Sequence, residues 1–194
     1  MTNKLLFFVL LALCFSGCDM LETHPYDVHI TGERELTNKN IQLIENKMQG
    51  KKTIRFAMIS DTQRWYNSTE DVVKALNARG DIDFVIHGGD QSDFGVTKEF
   101  IWMRDIFNKF QMPYVCLLGN HDCLGTGEDA YRAIYGDPNF AFTAGNVRFI
   151  CLNTNAMDKP LVYAFLDFLV EQVPGACYAD HSVNLVQLDE VRQL

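Results

Sequence analysis

An α/β fold, with a mostly parallel sheet flanked by helices, is what this sequence predicts, and three observations carry the prediction. Short apolar, β-branched runs alternate with amphipathic stretches of about a dozen residues. Capping residues and glycines separate the two kinds of segment. A polar cluster follows each of three apolar runs directly.

The first residues belong outside the fold. Lys4 precedes eleven apolar residues, Leu5 to Phe15, and Ser16, Gly17 and Cys18 follow. Eleven residues are too few to span a bilayer but suit the apolar core of a secretion signal. The stretch "CFSGCD" resembles a bacterial lipoprotein lipobox, with Cys18 as the lipid-bearing first mature residue and Phe15 where an aliphatic residue is usual. The expectation is a signal peptide over 1–17 and a lipid-anchored leader with a short helix over 18–52. The chain would then sit in the bacterial cell envelope, periplasmic or at the surface, tethered through Cys18 but folded in water.

Within the leader, "YDVHIT" (26–31) could form a short strand. "TNKNIQLIENKMQG" reads as a helix capped near Thr37 or Asn38 and ended by Gly50. "TIRFAMIS" (53–60) is a strand. "STEDVVKALNARG" (68–80) has an S-x-x-D capping box and a terminal glycine, so a helix. "DFVIHGG" (83–89) is a second strand, and "TKEFIWMRDIFNKF" (97–110) has apolar residues at helical spacing. "PYVCLLG" (113–119) is a third strand, "EDAYRAIYG" a short helix, and "NVRFICLNT" (146–154) a fourth strand. Strands separated by helices pair in parallel through right-handed crossovers.

The chain of 194 residues fits one domain with a sizeable core. Its formal charge of −8 argues against a nucleic-acid binder that neutralises phosphates. If the protein handles phosphate, positive charge must come from elsewhere, and bound metal is one source. Cys116, Cys123, Cys151 and Cys177 match no zinc motif or dense disulfide frame, and Cys116 and Cys151 lie in apolar strands as buried thiols.

The polar clusters share one edge of a parallel sheet. Asp61 and Gln63 follow the first strand, Asp90 and Asp93 the second, and Asn120, His121 and Asp122 the third. The carboxyl ends of parallel strands are where such folds bind ligands. Gathered carboxylates repel one another, and a cation among them removes the conflict. Oxygen donors with an occasional nitrogen suit Mn, Fe, Mg or Zn. A capped turn would account for Asn-His-Asp by itself; three clusters on one edge are a different matter.

"SDTQ" (60–63), "GGDQSD" (88–93) and "GNHD" (119–122) resemble, in order and in strand placement, the first three motifs of calcineurin-like metallophosphoesterases: D-x-H, G-D-x-x-D and G-N-H-D/E. The resemblance covers roughly 53–156 and implies a partial metallophosphoesterase sandwich with two divalent metal ions. By that resemblance Asp61 binds the first metal, Asp90 bridges both and Asn120 binds the second through its amide oxygen. His121 faces the leaving group and Asp93 orients and charge-stabilises its imidazole. A hydroxide between the metals would attack a phosphate ester in line while the cationic His121 protonates the departing oxygen. Asp122 stands between a role in this chemistry and support of the turn.

The chain also departs from the pattern. Gln63 stands where the family has a histidine; its amide oxygen could coordinate a hard cation or hydrogen-bond behind the ligands. After Leu152 there is one histidine, His181, and the family's later histidine and G-H-x-H motif are missing. The strands of a second sheet are not recognisable. "LVYAFLDFLV" (161–170) has nine apolar residues in ten, and the rest of the tail shows no strand–helix rhythm. The expected organisation is therefore a metallophosphoesterase-like portion over 53–158 and a divergent tail over 159–194, from truncation or a frame shift, with a natural short variant bearing a helical tail as the alternative. Sequencing codons 150–200 in three frames tests this: no frame continuing into a histidine and G-H-x-H sinks it.

The functional expectation is a phosphate-ester hydrolase. The alternative is a catalytically inactive or truncated lipoprotein of the same fold. His87, inside the second strand, reads as a satisfied core histidine, and Arg64, Trp65 and Tyr66 as a rim loop able to contact phosphate or stack on a leaving group. His24 and His29 read as solvated.

Overall fold

The computed structural model describes residues 24–155 and the backbone of 176–179. The segment read as a signal and lipobox, His181 and most of the tail lie outside the described residues. Among the described residues, no helix is long and apolar enough to cross a membrane.

Strands β1 (Phe56–Ile59), β2 (Phe84–His87) and β3 (Tyr114–Cys116) form one parallel sheet in that order. The register pairs Ile59 with His87 and His87 with Cys116, so the three strands finish level. Helix α1 (Leu36–Met48) precedes the sheet, α2 (Tyr66–Arg79) joins β1 to β2, and α3 (Thr97–Phe107) joins β2 to β3. A 3-10 turn at His121–Cys123 and helix α4 (Gly127–Tyr135) follow β3.

Helix boundaries differ from the sequence reading by a few residues. Helix α1 begins at Leu36, with Thr37 buried inside it, while Gly50 turns left-handed just past its end, as expected. Helix α2 begins two residues before Ser68, where Thr69 bonds back to the Trp65 carbonyl through both its backbone N–H and its hydroxyl (both 2.8 Å), so the S-x-x-D sequence is not its cap. In α3 the Glu99 carboxylate accepts from the N–H groups of Phe94 and Val96, at 3.1 and 3.3 Å, and fixes the entry.

"NVRFICLNT" does not extend the first sheet. Its strand β5 (Val147–Cys151) pairs antiparallel with β4 (Phe140–Ala144) and parallel with β6 (Ala176–Ala179). The second sheet thus has strands that the sequence reading did not recognise, one of them within the tail. Periodicity does not encode strand direction, but the two-residue connection Gly145–Asn146 does mark a hairpin; Gly145 takes φ 59° there.

Residues on β2 alternate between two cores. Val85 packs with Phe100, Met103, Phe107, Tyr131 and Ile134 beneath α3 and α4. Phe84 and Ile86 pack with Ile44, Met48, Phe142 and Phe149, between the two sheets and α1. The ring centroids of Phe142 and Phe149 stack at 4.8 Å, and Phe84 meets both edge-on. Covering both faces of the parallel sheet leaves its strand ends as the exposed margin.

The leader packs on the domain without forming the expected strand at 26–31. Its carbonyls bond to side chains: Thr97 donates to Asp27 (2.8 Å), Thr126 to Tyr26 (2.5 Å) and the buried Arg104 to Thr31 (2.5 Å). Ile30 enters the helical core, and His24 and His29 are exposed.

Candidate metal centre

The loops after β1, β2 and β3 are laced to one another. Asp61 N–H donates to the Gly89 carbonyl (3.1 Å), and Gln63 N–H to the Asp90 carbonyl (3.2 Å). His121 N–H donates to Asp90 Oδ1 at 2.9 Å. The three polar clusters are therefore one assembly at the carboxyl ends of the parallel strands.

Close approach of the second and third loops requires glycine. A Cβ at Gly119 would stand 2.1 Å from Asp90 Oδ1 and 2.2 Å from its N, and a Cβ at Gly89 2.7 Å from Gly119 Cα. Asp61, Arg64 and Asp90 take positive φ of 56°, 66° and 61°. Few non-glycine residues accept that conformation, and Asp is among the more tolerant. Such strain clusters at sites where a side chain must be aimed.

Asp122 is a scaffold for these loops. Fully buried, its carboxylate accepts N–H bonds from Asp90 (2.9 Å), Ser92 (2.8 Å) and Gly119 (3.0 Å). Burial pushes its carboxyl up to about 6, against the pull of these donors. The carboxylate thus supports the turn, and two of its three donors, Ser92 and Asp90, lie 30 and 32 residues away in sequence.

His121 is half-buried, and its Nδ1 donates to the Asp93 carbonyl at 3.1 Å, with Asp93 Oδ1 at 3.8 Å. That bond raises the imidazole above its ordinary value; slight burial opposes it, and the charges of Asp90, Asp93 and Asp122 add to the rise. Nδ1 is thereby occupied, which assigns any chemistry to Nε2. Asp93 is buried and also meets Arg64, whose Nε lies 3.2 Å from Oδ2. His87 is a satisfied core histidine: Gly89 N–H donates to Nδ1 (3.2 Å), so Nε2 carries the hydrogen toward Thr62 Oγ1 (2.9 Å). Neither the Arg64–Asp93 pair nor this His87 brace was marked in the sequence.

Asp61 and Asn120 are exposed, Asp90 is buried, and Gln63 is half-buried. The Gln63 Oε1 atom is itself buried and has no hydrogen-bond partner among the described residues. A buried amide oxygen without a donor is costly, and a cation would satisfy it. Two carboxylates and two amide oxygens make a hard, oxygen-rich donor set. Among the described residues no group of three or more His, Cys, Asp and Glu side chains is gathered to hold a metal. A cleft of about 320 Å³ opens beside Asp61, lined by Ser60, Thr62, Trp65 and Thr69 among others.

The sequence profile of the calcineurin-like phosphoesterase family matches residues 54–193, well over half of the chain and past the point where the motifs stop. No curated protein matches the chain. Among solved structures it is similar to the purple acid phosphatase PPD1 isolated from yellow lupin (Lupinus luteus) seeds, at 14% identity and a TM-score of 0.45. That likeness covers 67% of this chain and 30% of the lupin chain. With three strand-end motifs gathered into one cluster and a family match over residues 54–193, the chain belongs to the calcineurin-like phosphoesterases.

Proposed function

We propose that this protein hydrolyses phosphate esters at the cluster formed by Asp61, Gln63, Asp90, Asn120, His121 and Asp93. Family membership implies a metal-dependent phosphoesterase with a dinuclear metal centre. Asp61, Gln63, Asp90 and Asn120 would hold the ions, with Asp90, the carboxylate at the centre of the laced loops, shared between them. When bound, the ions neutralise phosphoryl charge and activate water as a nucleophile.

The chain's own residues supply the rest. His121 carries a proton at Nε2 for the departing oxygen, because Nδ1 is committed to Asp93. Asp93 fixes the ring and balances its charge. Asp122 holds the second and third loops in register by its three N–H bonds. The observation that carries the reading is the unpartnered Gln63 Oε1, two residues after the left-handed Asp61, on a loop laced by backbone bonds to that of the left-handed Asp90. The envelope setting, with lipid on Cys18, rests on the leader sequence and is testable by labelling with a fatty-acid probe: loss of label in Cys18→Ser is expected.

A second reading keeps the fold without turnover. It is favoured by the sparse donor set, two carboxylates and two amides among the described residues. The purified protein, loaded with manganese, separates the two. We expect at least one ion per chain and hydrolysis of an aryl phosphate that Asp90→Ala reduces more than about a hundredfold, since even partners behind the ligands cost 10–100-fold. Fewer than one ion per chain, with no rate loss in Asp90→Ala, leaves the inactive reading.

A further inference from the structure

We propose that Arg64 makes the site selective for phosphomonoesters over phosphodiesters, by gripping the non-bridging oxygen that a diester lacks. The inference rests on the phosphoesterase reading above. A monoester near neutral pH is largely a dianion with three non-bridging oxygens; a diester is a monoanion with two.

Arg64 is held as a rim cation by its neighbours. On one side Gln63 N–H bonds to the Asp90 carbonyl at 3.2 Å; on the other Trp65 N–H bonds to the Thr62 carbonyl at 3.0 Å. Between them the Arg64 backbone takes φ 66°. Its Nε meets Asp93 Oδ2 at 3.2 Å, and the other oxygen of that carboxylate lies 3.8 Å from His121 Nδ1. One buried carboxylate thus stands between the guanidinium and the proposed proton donor. The Arg64 side chain is 70% exposed while Asp93 is 4% exposed, so the guanidinium meets the carboxylate as an ion pair at one nitrogen, without a hydrogen bond to Oδ2, and is open to solvent over the rest. Its two Nη groups make no hydrogen bond among the described residues.

Stability does not explain this arrangement. An exposed ion pair contributes little to folding, and a left-handed backbone costs any residue with a Cβ. Electrostatics does explain it. Asp61 is exposed at the site, Asp90 and Asp93 lie buried behind it, and the chain carries a net charge of −8, which repels an anionic substrate. A permanent cation with a planar fork of donors matches phosphoryl oxygens two at a time.

The test uses the full chain loaded with manganese, as wild type, Arg64→Ala and Arg64→Lys, with thermal melts to show that each is folded. The substrates are an aryl phosphomonoester and the corresponding bis-aryl phosphodiester; inorganic phosphate is titrated by calorimetry as a separate readout. For Arg64→Ala we expect kcat/KM on the monoester to fall about 10- to 100-fold, mainly through KM, the range of a lost charge-assisted hydrogen bond. On the diester it should fall less than about threefold, and phosphate should bind about tenfold more weakly. Arg64→Lys keeps the charge without the fork and recovers part of the loss. Equal losses on both esters, or an unchanged monoester KM, overturn the proposal while the phosphoesterase reading survives. If wild type hydrolyses neither ester, that reading has failed, and calorimetry alone decides for Arg64: unchanged phosphate affinity in Arg64→Ala overturns it.

Discussion

Asp61 and Asp90 end neighbouring strands of one sheet in the same left-handed conformation, at φ 56° and 61°, yet they live in different surroundings. Asp90 is 3% exposed, and its N–H, C=O and Oδ1 all reach the adjoining loops. Asp61 is exposed; its N–H bonds to the second loop and its carboxylate takes the hydroxyl of Ser60, the residue before it. Topology causes the difference. The loop after β2 lies between two others because β2 is the middle strand, whereas the loop after β1 has a described neighbour on one side. One half of the candidate centre is therefore built by folding, and the other half is open to solvent.

The largest effect that should separate the halves belongs to Asp122. Asp122→Ala leaves three buried N–H groups without an acceptor, each worth about 1 kcal/mol or more, so the metal-free protein should lose about 3 kcal/mol in urea unfolding. Ser60→Ala, on the open half, should change stability by less than about 0.5 kcal/mol, as exposed substitutions do. Similar midpoints for the two variants would mean that the buried half is no more tightly built than the exposed one.

A smaller contrast comes from placing glycine at the two aspartates. Glycine removes a left-handed backbone cost of about 1 kcal/mol at either position. At Asp61 nothing buried is lost, so the metal-free Asp61→Gly protein should match or slightly exceed the parent. At Asp90 the His121 N–H loses a charged acceptor, a loss of about 2 kcal/mol, so Asp90→Gly should end about 1 kcal/mol below the parent. Equal stabilities would show that the Asp90 carboxylate contributes no more to the fold than that of Asp61.

This contrast also marks how far the sequence could be read. The parallel strands, their helices and the strand-end position of Asp61, Asp90 and Asn120 were legible, because periodicity assigns elements and parallel order assigns edges. The second sheet was not: "FAFTA" sits behind Pro138, and an apolar run such as "NVRFIC" carries no mark of direction. The sign that was available, Gly145–Asn146 between two short runs, is a turn signal rather than a strand signal. The work of Asp122 was illegible for another reason. Its partners are backbone N–H groups, which every residue has, so no residue type announces them. Glycines 89 and 119 came closest to doing so, since their lack of a side chain is what lets the loops touch.

The smallest effect on folding, and the most direct probe of the open half, is at Gln63. Its Oε1 is buried without a donor, so replacing the amide by an apolar group of similar size removes an unsatisfied acceptor rather than a bond. The metal-free Gln63→Leu protein should be as stable as the parent, or more stable by up to about 1 kcal/mol. Manganese titrated by calorimetry should bind at least about tenfold more weakly, because an oxygen donor is gone. The two measurements pull in opposite directions only if Gln63 is kept for a cation. Were Gln63→Leu to unfold more easily while binding manganese as before, the side chain would be bracing its loop, and both halves of the centre would be built by folding alone.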